Sequence, residues 1–191
     1  MSELVDYYGR FDPEFSHDKF SKKTLKKLLK TYSEYMLRID ALWYLTVMGE
    51  WGPDEALDCD RRVWEKALVW ELEAMTEALN IHGDDVATVM KYMQAHPWMW
   101  NYEYDINIKN SDHAIVTYHT CPNLLAMEKE ATGREKLTCQ EMEPKVKTII
   151  AHYFNPNIKV TGLKVPPRVN YSDCCCQWEF KLERRLDESG H

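Results

Sequence analysis

The sequence predicts an α+β domain in which N-terminal helices pack on a C-terminal antiparallel sheet. In the first half of the chain, apolar residues recur three and four positions apart, which is typical of amphipathic helices. After about residue 101 the pattern changes to the alternation typical of strands. The length of 191 residues and the 45% hydrophobic content fit one folded domain. We expect it to span residues 19–182, between an arm at 1–18 and a charged tail at 183–191.

Three helices are predicted in the N-terminal half. The first begins at the N-cap Ser21 and ends near residue 50, before a Gly52-Pro53 turn. The second spans residues 53–79 and the third spans residues 85–96. The spacing of the first helix predicts one buried apolar stripe, formed by Leu25, Leu28, Leu29, Tyr32, Met36, Ile39, Trp43 and Val47.

The second half alternates strands with helices. Two strands are predicted at residues 102–108 and 114–120, separated by a polar turn. A helix at 122–132 ends at Gly133, and another helix begins at Cys139 and continues to residue 154. Strands at 158–165 and 174–182 complete the predicted sheet.

Charge and hydropathy narrow the classes of partner. The 24 basic and 31 acidic residues give a net charge of −7, which argues against nucleic acid as a main partner. No apolar run approaches the ~20 residues of a membrane span, and the first residues lack a signal-peptide pattern, so we expect a cytoplasmic protein. The segment 19–30 contains six lysines and no acid. We interpret it as a solvated helix face, with a lipid or partner surface as the alternative.

The six cysteines include several that could carry chemistry, and we expect them to be reduced. Strand alternation puts His119 and Cys121 on one face, where an imidazole can activate a thiol or share a metal with it. Cys139, at a predicted helix start, would have a lowered pKa. Cys176 is predicted to face inward, beside Trp178.

The order of these cysteines resembles a known group. Thr120-Cys121-Pro122 ends a strand, Cys139 follows a helix that closes at Gly133, and Cys176-Gln177-Trp178-Glu179-Phe180 forms the last strand. This order resembles the L-2-amino-thiazoline-4-carboxylic acid hydrolase-like group, and it is closer to a related family with a terminal C-x-W-x-F strand. That related family also has a first-helix pattern like Arg38-Ile-Asp40-Ala-Leu-Trp43.

The resemblance implies a fold similar to 4-vinyl reductase-type ligand-binding domains and a small-molecule site between sheet and helices. It implies hydrolytic opening of a cyclic C=N bond in a thiazoline or amidine. Cys121 or Cys139 would be the thiolate and His119 the general base, with Asp40 or Glu143 as the orienting acid.

Substrate binding is assigned to a set on the first helix: Arg38, Asp40 and Trp43. Arg38 would hold a substrate carboxylate. A metal-assisted version places Zn or Fe on Cys121, Cys139 and Cys176 together with a histidine.

Two other interpretations stay open beside the enzyme. The chain could be a non-catalytic, sensor-like domain that binds a metal or a small ligand, or a structural protein whose thiols all belong to the core. The predicted helices have faces that remain exposed, and these faces are compatible with a homodimer.

Overall fold

The computed structural model describes residues 3–183. Within this range the helical segments are α1 (Lys22–Trp51), α2 (Pro53–Leu79), α3 (Val86–Ala95), α4 (Pro122–Glu130), α5 (Arg134–Leu137) and α6 (Glu143–Phe154). The strands are β1 (Glu103–Asn110), β2 (His113–Thr120), β3 (Ile158–Lys164) and β4 (Cys176–Leu182). The predicted α+β class is confirmed. Beyond Glu183, the predicted charged tail lies outside the described residues.

The sheet is antiparallel throughout, with the strand order β1-β2-β4-β3. In the register, Val116 of β2 lies between Ile106 of β1 and Trp178 of β4. Val116 and Trp178 are buried, whereas residues on the opposite face are partly exposed and form polar pairs across the strands. Gln177 donates a hydrogen bond to Thr117 at 2.9 Å on that opposite face. One face of the sheet therefore holds the core and the other is open.

The helices form layers on the buried face of the sheet. α3 and α6 lie against the strands, α2 packs on α6, and α1 packs on α2. α2 turns every fourth residue of one stretch inward: Ala56, Asp60, Trp64, Leu68 and Leu72. Each four-residue step advances about 40° around a helix, so this row winds from Ala56, which packs against α1, to Leu68 and Leu72, which belong to the core on the sheet.

The apolar stripe predicted to bury α1 is only partly covered: Val47 is buried as predicted, three of its residues are half-buried, and the other four are exposed, where the prediction was wrong. Tyr32 and Ile39 remain 56% and 49% exposed, whereas the buried residues of α1 are Ser33, Tyr44 and Val47. Ser33 donates a hydrogen bond to the carbonyl of Pro97 at 2.6 Å, which fixes a different face of α1 against the domain. Hydrophobic spacing showed that an apolar face exists, but the packing of α1 left much of that face uncovered.

The length and hydropathy of the described helices bear on whether any of them could cross a membrane. Within residues 3–183, none of them combines the length and the apolar character needed to cross a bilayer.

Candidate functional site

A cavity of about 160 Å³ lies between the buried face of the sheet and the helices α1, α2, α3, α4 and α6. Its apolar wall is formed by aromatic and methionine side chains together with leucines of α2 and α4: Trp64, Leu68, Met93, Trp98, Met99, Tyr102, Tyr118, Leu124, Met127, Met142 and Trp178. Eight of its lining side chains are polar or ionisable groups of chemical interest: Asp40, Asp60, His96, Cys121, Cys139, Glu143, Lys147 and Cys176. An apolar cavity with a few convergent polar groups is typical of a small-molecule site.

The three predicted thiols are brought together on this cavity. Cys121 comes from the N-cap of α4, where its Sγ accepts a hydrogen bond from the Leu124 N–H at 3.5 Å. Cys176 opens β4, and its inward orientation beside Trp178 was predicted correctly. Burial is the main cause that raises the pKa of Cys121 to about 12 and that of Cys176 to about 11. These thiols are therefore protonated at neutral pH.

Cys139 does not begin a helix, contrary to the prediction. The helical path starts at α5 and passes through a π-helical turn, Thr138–Met142, before α6. Cys139 is thus inside a continuous helical path, away from the free N–H groups that stabilise a thiolate at a helix start. Burial, followed by the nearby Glu143 carboxylate, raises the pKa of this thiol well above its ordinary value.

Lys147 is a buried cation at the floor of the cavity. Its Nζ donates a hydrogen bond to Glu143, one helical turn earlier, and lies 4.6 Å from the centroid of the Trp178 ring. The Tyr118 ring lies 5.6 Å from the same ammonium group. Burial alone would lower the pKa of Lys147, but the Glu143 carboxylate raises it above the ordinary value. The cavity therefore contains a fixed positive charge held by one carboxylate and two aromatic faces.

Two carboxyl groups lie at another part of the wall. Trp64 Nε1 donates a hydrogen bond to Asp40 Oδ1 at 3.0 Å, and Asp60 precedes Trp64 by one helical turn. Burial raises the pKa of Asp40 to about 6. Burial, with a further contribution from Asp40, raises the pKa of Asp60 to about 7. Two acids that titrate near neutrality can exchange protons with a bound molecule.

His96 is the only histidine that lines the cavity among the described residues. Its Nδ1 accepts a hydrogen bond from the Trp98 N–H at 3.2 Å, so Nε2 carries the proton and faces Glu71 at 3.3 Å. Burial, with the charge of Lys147, lowers the pKa of His96 to about 4. The imidazole is therefore neutral at neutral pH.

A segment between β3 and β4 closes one side of the cavity. Pro166, which lines the cavity, accepts a hydrogen bond from Gln140 through its carbonyl at 2.7 Å. Arg168 binds the Glu128 carboxylate of α4 through two nitrogens at 2.8 and 2.5 Å, and both side chains are at most 10% exposed. Arg168 also donates to the carbonyls of Tyr171 and Asp173. This ion pair ties the segment to α4.

The predicted pairing of His119 with Cys121 was wrong. His119 lies on the open face of the sheet, where its Nε2 is 2.8 Å from Asp105 Oδ2. Cys121 follows the last residue of β2, so the two-residue alternation no longer applies to it and its side chain lines the cavity. His119 is therefore not placed to act as a base for Cys121.

Two of the three residues predicted to bind substrate lie outside the cavity. Asp40 lines it, whereas Arg38 lines a neighbouring surface cleft and Trp43 is 37% exposed. Residues two apart on a helix point in nearly opposite directions, so Arg38 and Asp40 cannot face one site. Asn123 lines both the cavity and the surface cleft and so lies at the boundary between them.

The predicted metal centre finds no support. Within residues 3–183, no group of three or more His, Cys, Asp or Glu side chains is arranged to hold a metal ion. Cys121, Cys139 and Cys176 line one cavity but do not form a ligand set for Zn or Fe.

Lys147 and Asp60 were not predicted as site residues, although both have a signal in the sequence. Lys147 is three residues before the buried Ile150, on the apolar side of α6. Asp60 falls between Ala56 and Trp64 in the four-residue row of α2. A charged residue within an apolar helical stripe is a candidate for a buried site.

Comparison with known proteins places the chain by its sequence. The model of the family of unknown function DUF6125 matches residues 18–182. The chain belongs to the DUF6125 family. No curated protein matches it, and no solved structure matches it. In this DUF6125 member the matched region contains the whole described cavity wall.

Proposed function

We propose that this protein binds a small organic molecule in the cavity between the helices and the sheet. The observation that carries the proposal is a pair of buried polar atoms on the cavity wall that lack a hydrogen-bond partner among the described residues, Asp60 Oδ1 and Trp98 Nε1. Buried polar groups in native proteins nearly always have partners, so unpartnered ones on one wall favour a ligand that supplies them.

The size of the cavity sets the size of the ligand. A cavity of about 160 Å³ is close to the ~150 Å³ of an engineered apolar cavity that binds benzene. The aromatic wall provides flat apolar surfaces for a ring, and the carboxyl groups and Lys147 provide charge at separate positions. The expected ligand is a single ring or two fused rings with polar substituents.

Binding of indole, an uncharged aromatic probe, tests this proposal. Two tryptophan variants on α4 form a matched pair: Asn123→Trp puts bulk on the cavity wall, and Leu125→Trp puts it at a 46% exposed position. We expect indole to raise the melting temperature of the wild type and of Leu125→Trp, but not of Asn123→Trp. Equal responses of the two variants, or no response of the wild type, would contradict binding in the cavity.

A second candidate function is hydrolysis of a cyclic C=N bond, and the Asp40–Asp60 pair favours it. One carboxylate would remove a proton from water as its oxygen bonds to the C=N carbon. The π electrons would move to the ring nitrogen, which would take a proton from the other carboxyl group. The hydroxyl on the tetrahedral carbon would then lose its proton to that second carboxylate as C=O forms and the bond to the ring nitrogen breaks, and the leaving nitrogen would take the proton held by the first carboxyl group to become an amine. Asp40 and Asp60 replace His119 and the thiols in this version, because their pKa values lie near neutrality.

Turnover of 2-aminothiazoline-4-carboxylate tests the hydrolase candidate. We expect the wild type and Cys121→Ser to hydrolyse it, and Asp60→Asn to lose at least 100-fold in kcat/KM. Asp58→Asn, on the exposed side of α2, is the matched control. Loss of activity in Cys121→Ser with full activity in Asp60→Asn would instead support the thiol mechanism.

A further inference from the structure

The part of the cavity wall that contains Asp40 and Asp60, here called the acidic corner, has buried polar atoms that no described residue hydrogen-bonds. Asp60 is 8% exposed and its Oδ1 lacks a partner. Trp98 is equally buried, its ring centroid is 5.2 Å from that of Trp64, and its Nε1 also lacks a partner. Asp60 Oδ1 therefore offers an unused acceptor to a ligand donor, the Trp98 ring packs against Trp64, and the Trp98 N–H remains free for an acceptor atom on another part of the ligand.

The cationic side chains nearest to the acidic corner already form ion pairs with other carboxylates. Lys147 is bound to Glu143, and Arg134 is bound to Glu130 at 2.7 Å and stacks over the Tyr44 ring at 5.0 Å. None of the ion pairs among the described residues includes Asp40 or Asp60. Asp40 and Asp60 thus lie beside two indole rings without an ion-pair contact to any described cation, and Arg134 acts on Asp60 only from a distance.

We propose that Asp40, Asp60, Trp64 and Trp98 form a subsite for a protonated nitrogen group of the amidinium class, carried by the ring that fills the cavity. A carboxylate accepts hydrogen bonds from such a planar cation with high strength, and indole faces attract positive charge. This inference rests on the proposed function, because it assigns a ligand class to the same cavity.

Three isosteric probes distinguish charge from size: benzamidine is a cation, benzamide is neutral and benzoate is an anion at neutral pH. In isothermal titration we expect benzamidine to bind at least 10-fold more tightly than either of the others. Asp60→Asn should abolish this preference while still binding benzamide. Asp58→Asn, two positions away and paired with Arg61 on the surface, should retain it.

The outcomes separate the two proposals. If benzamide and benzoate bind as tightly as benzamidine, the cavity binds ligands but the cation subsite is wrong. If the preference for benzamidine survives in Asp60→Asn, the cation binds elsewhere and the subsite is also wrong. If neither these three probes nor indole binds, the cavity does not function as a ligand site, and both proposals fail.

An independent observation concerns the outer surface of α1. Six large apolar residues along its length are between 37% and 63% exposed: Leu29, Tyr32, Tyr35, Ile39, Leu42 and Trp43. About 200 Å² for each fully exposed large side chain gives roughly 600 Å² of exposed apolar surface. This is at the upper end for a monomer and near the ~800 Å² that each partner contributes to a standard interface.

We further infer that this α1 surface (Leu29, Tyr32, Tyr35, Ile39, Leu42 and Trp43) pairs with the same surface of a second copy. The charge distribution favours an antiparallel arrangement, because the N-terminal half of α1 carries five lysines, its last turn carries Glu50, and Asp54 and Glu55 follow at the start of α2. Two-fold pairing of a helix of ~45 Å places these opposite charges side by side.

Sedimentation equilibrium tests the pairing. The wild type should have twice the 22.6 kDa mass of one chain, and Ile39→Glu, in the centre of the surface, should have the mass of a monomer. Leu45→Glu is the control, because Leu45 is 41% exposed but lies on the charged sector of α1 near Arg38. A monomeric wild type, or a dimeric Ile39→Glu variant, would overturn the inference.

Discussion

The Nζ of Lys147 lies 4.6 Å from the centroid of the Trp178 ring, on the buried side of the sheet. Trp178 is 2% exposed and Lys147 is 6% exposed, so this cation is among the most deeply buried polar groups of the described chain. Its hydrogen bond to Glu143 compensates for the loss of water. The Lys147–Glu143 pair and the Asp40–Asp60 pair are the charged groups of the same cavity wall, and the Glu143 carboxylate contributes to the raised pKa of Asp60.

Removal of the carboxylate at Glu143 should destabilise the fold more than removal of the whole pair. Glu143→Gln leaves the Lys147 ammonium buried without a counter-ion, and we expect a loss of about 3 kcal/mol in the free energy of unfolding. The double variant Glu143→Gln/Lys147→Met should recover most of that loss. Urea denaturation measures both, with Glu141→Gln, an exposed neighbour, as the control. A double variant less stable than Glu143→Gln would contradict this account.

The free energy of unfolding should decrease as the pH rises through the range in which the carboxyl groups of the acidic corner lose their protons. An acid with a folded pKa above its unfolded value binds more protons in the native state, so its contribution is present at low pH and is lost as the pH rises towards the folded pKa. For Asp60 this window extends from about 4 to about 7.

We expect Asp60→Asn to gain about 2 kcal/mol relative to the wild type between pH 5 and pH 8. Thermal or urea unfolding at several pH values checks this difference. His96, whose pKa is lowered to about 4, acts in the opposite direction in both proteins and cancels in the comparison. Parallel pH profiles of the two proteins would show that Asp60 does not titrate as described.

The thiols of the cavity should react slowly with alkylating reagents in the native protein. At pH 8 a thiol with a pKa of about 12 is thiolate in only ~0.01% of molecules. Iodoacetamide treatment followed by peptide mass spectrometry should modify Cys59, which is partly exposed on α2, well before Cys121 or Cys176. In urea the cysteines should react at similar rates. Rapid native modification of Cys121 would instead indicate an activated thiol.

The Arg168–Glu128 pair should hold the segment that covers the cavity. Arg168→Ala leaves Glu128, which is 10% exposed in its side chain, without its partner, and we expect a loss of about 3 kcal/mol. Chymotrypsin cleavage after Tyr171, which is 70% exposed, should also become faster. Lys164→Ala, an exposed change before the segment, should leave both unchanged. Unchanged proteolysis in Arg168→Ala would show that the pair does not hold the segment.

Much of the secondary structure could be predicted from local patterns. Ser21 caps α1 through its side chain, as predicted, and α2 begins at Pro53 and ends at Leu79 as its spacing indicated. Alternation also placed Cys176 and Trp178 on the inner face of the last strand. These features depend on periodicity and on residues near in sequence, so the sequence determines them.

The composition of the site was decided by tertiary structure. Periodicity showed that α1 has an apolar face but could not show that Tyr32 and Ile39 stay exposed while Ser33 is buried. It placed His119 with Cys121, although the end of β2 sends their side chains to opposite sides.

Lys147, Asp60 and Trp98 line one cavity only because α3, which Trp98 follows, and α6 lie on the same sheet and α2 packs on them. By itself, the sequence determined most of the helices and strands and the inward orientation of Cys176. The tertiary structure decided which faces are covered and which charges share a cavity, because those depend on contacts between residues far apart in the chain.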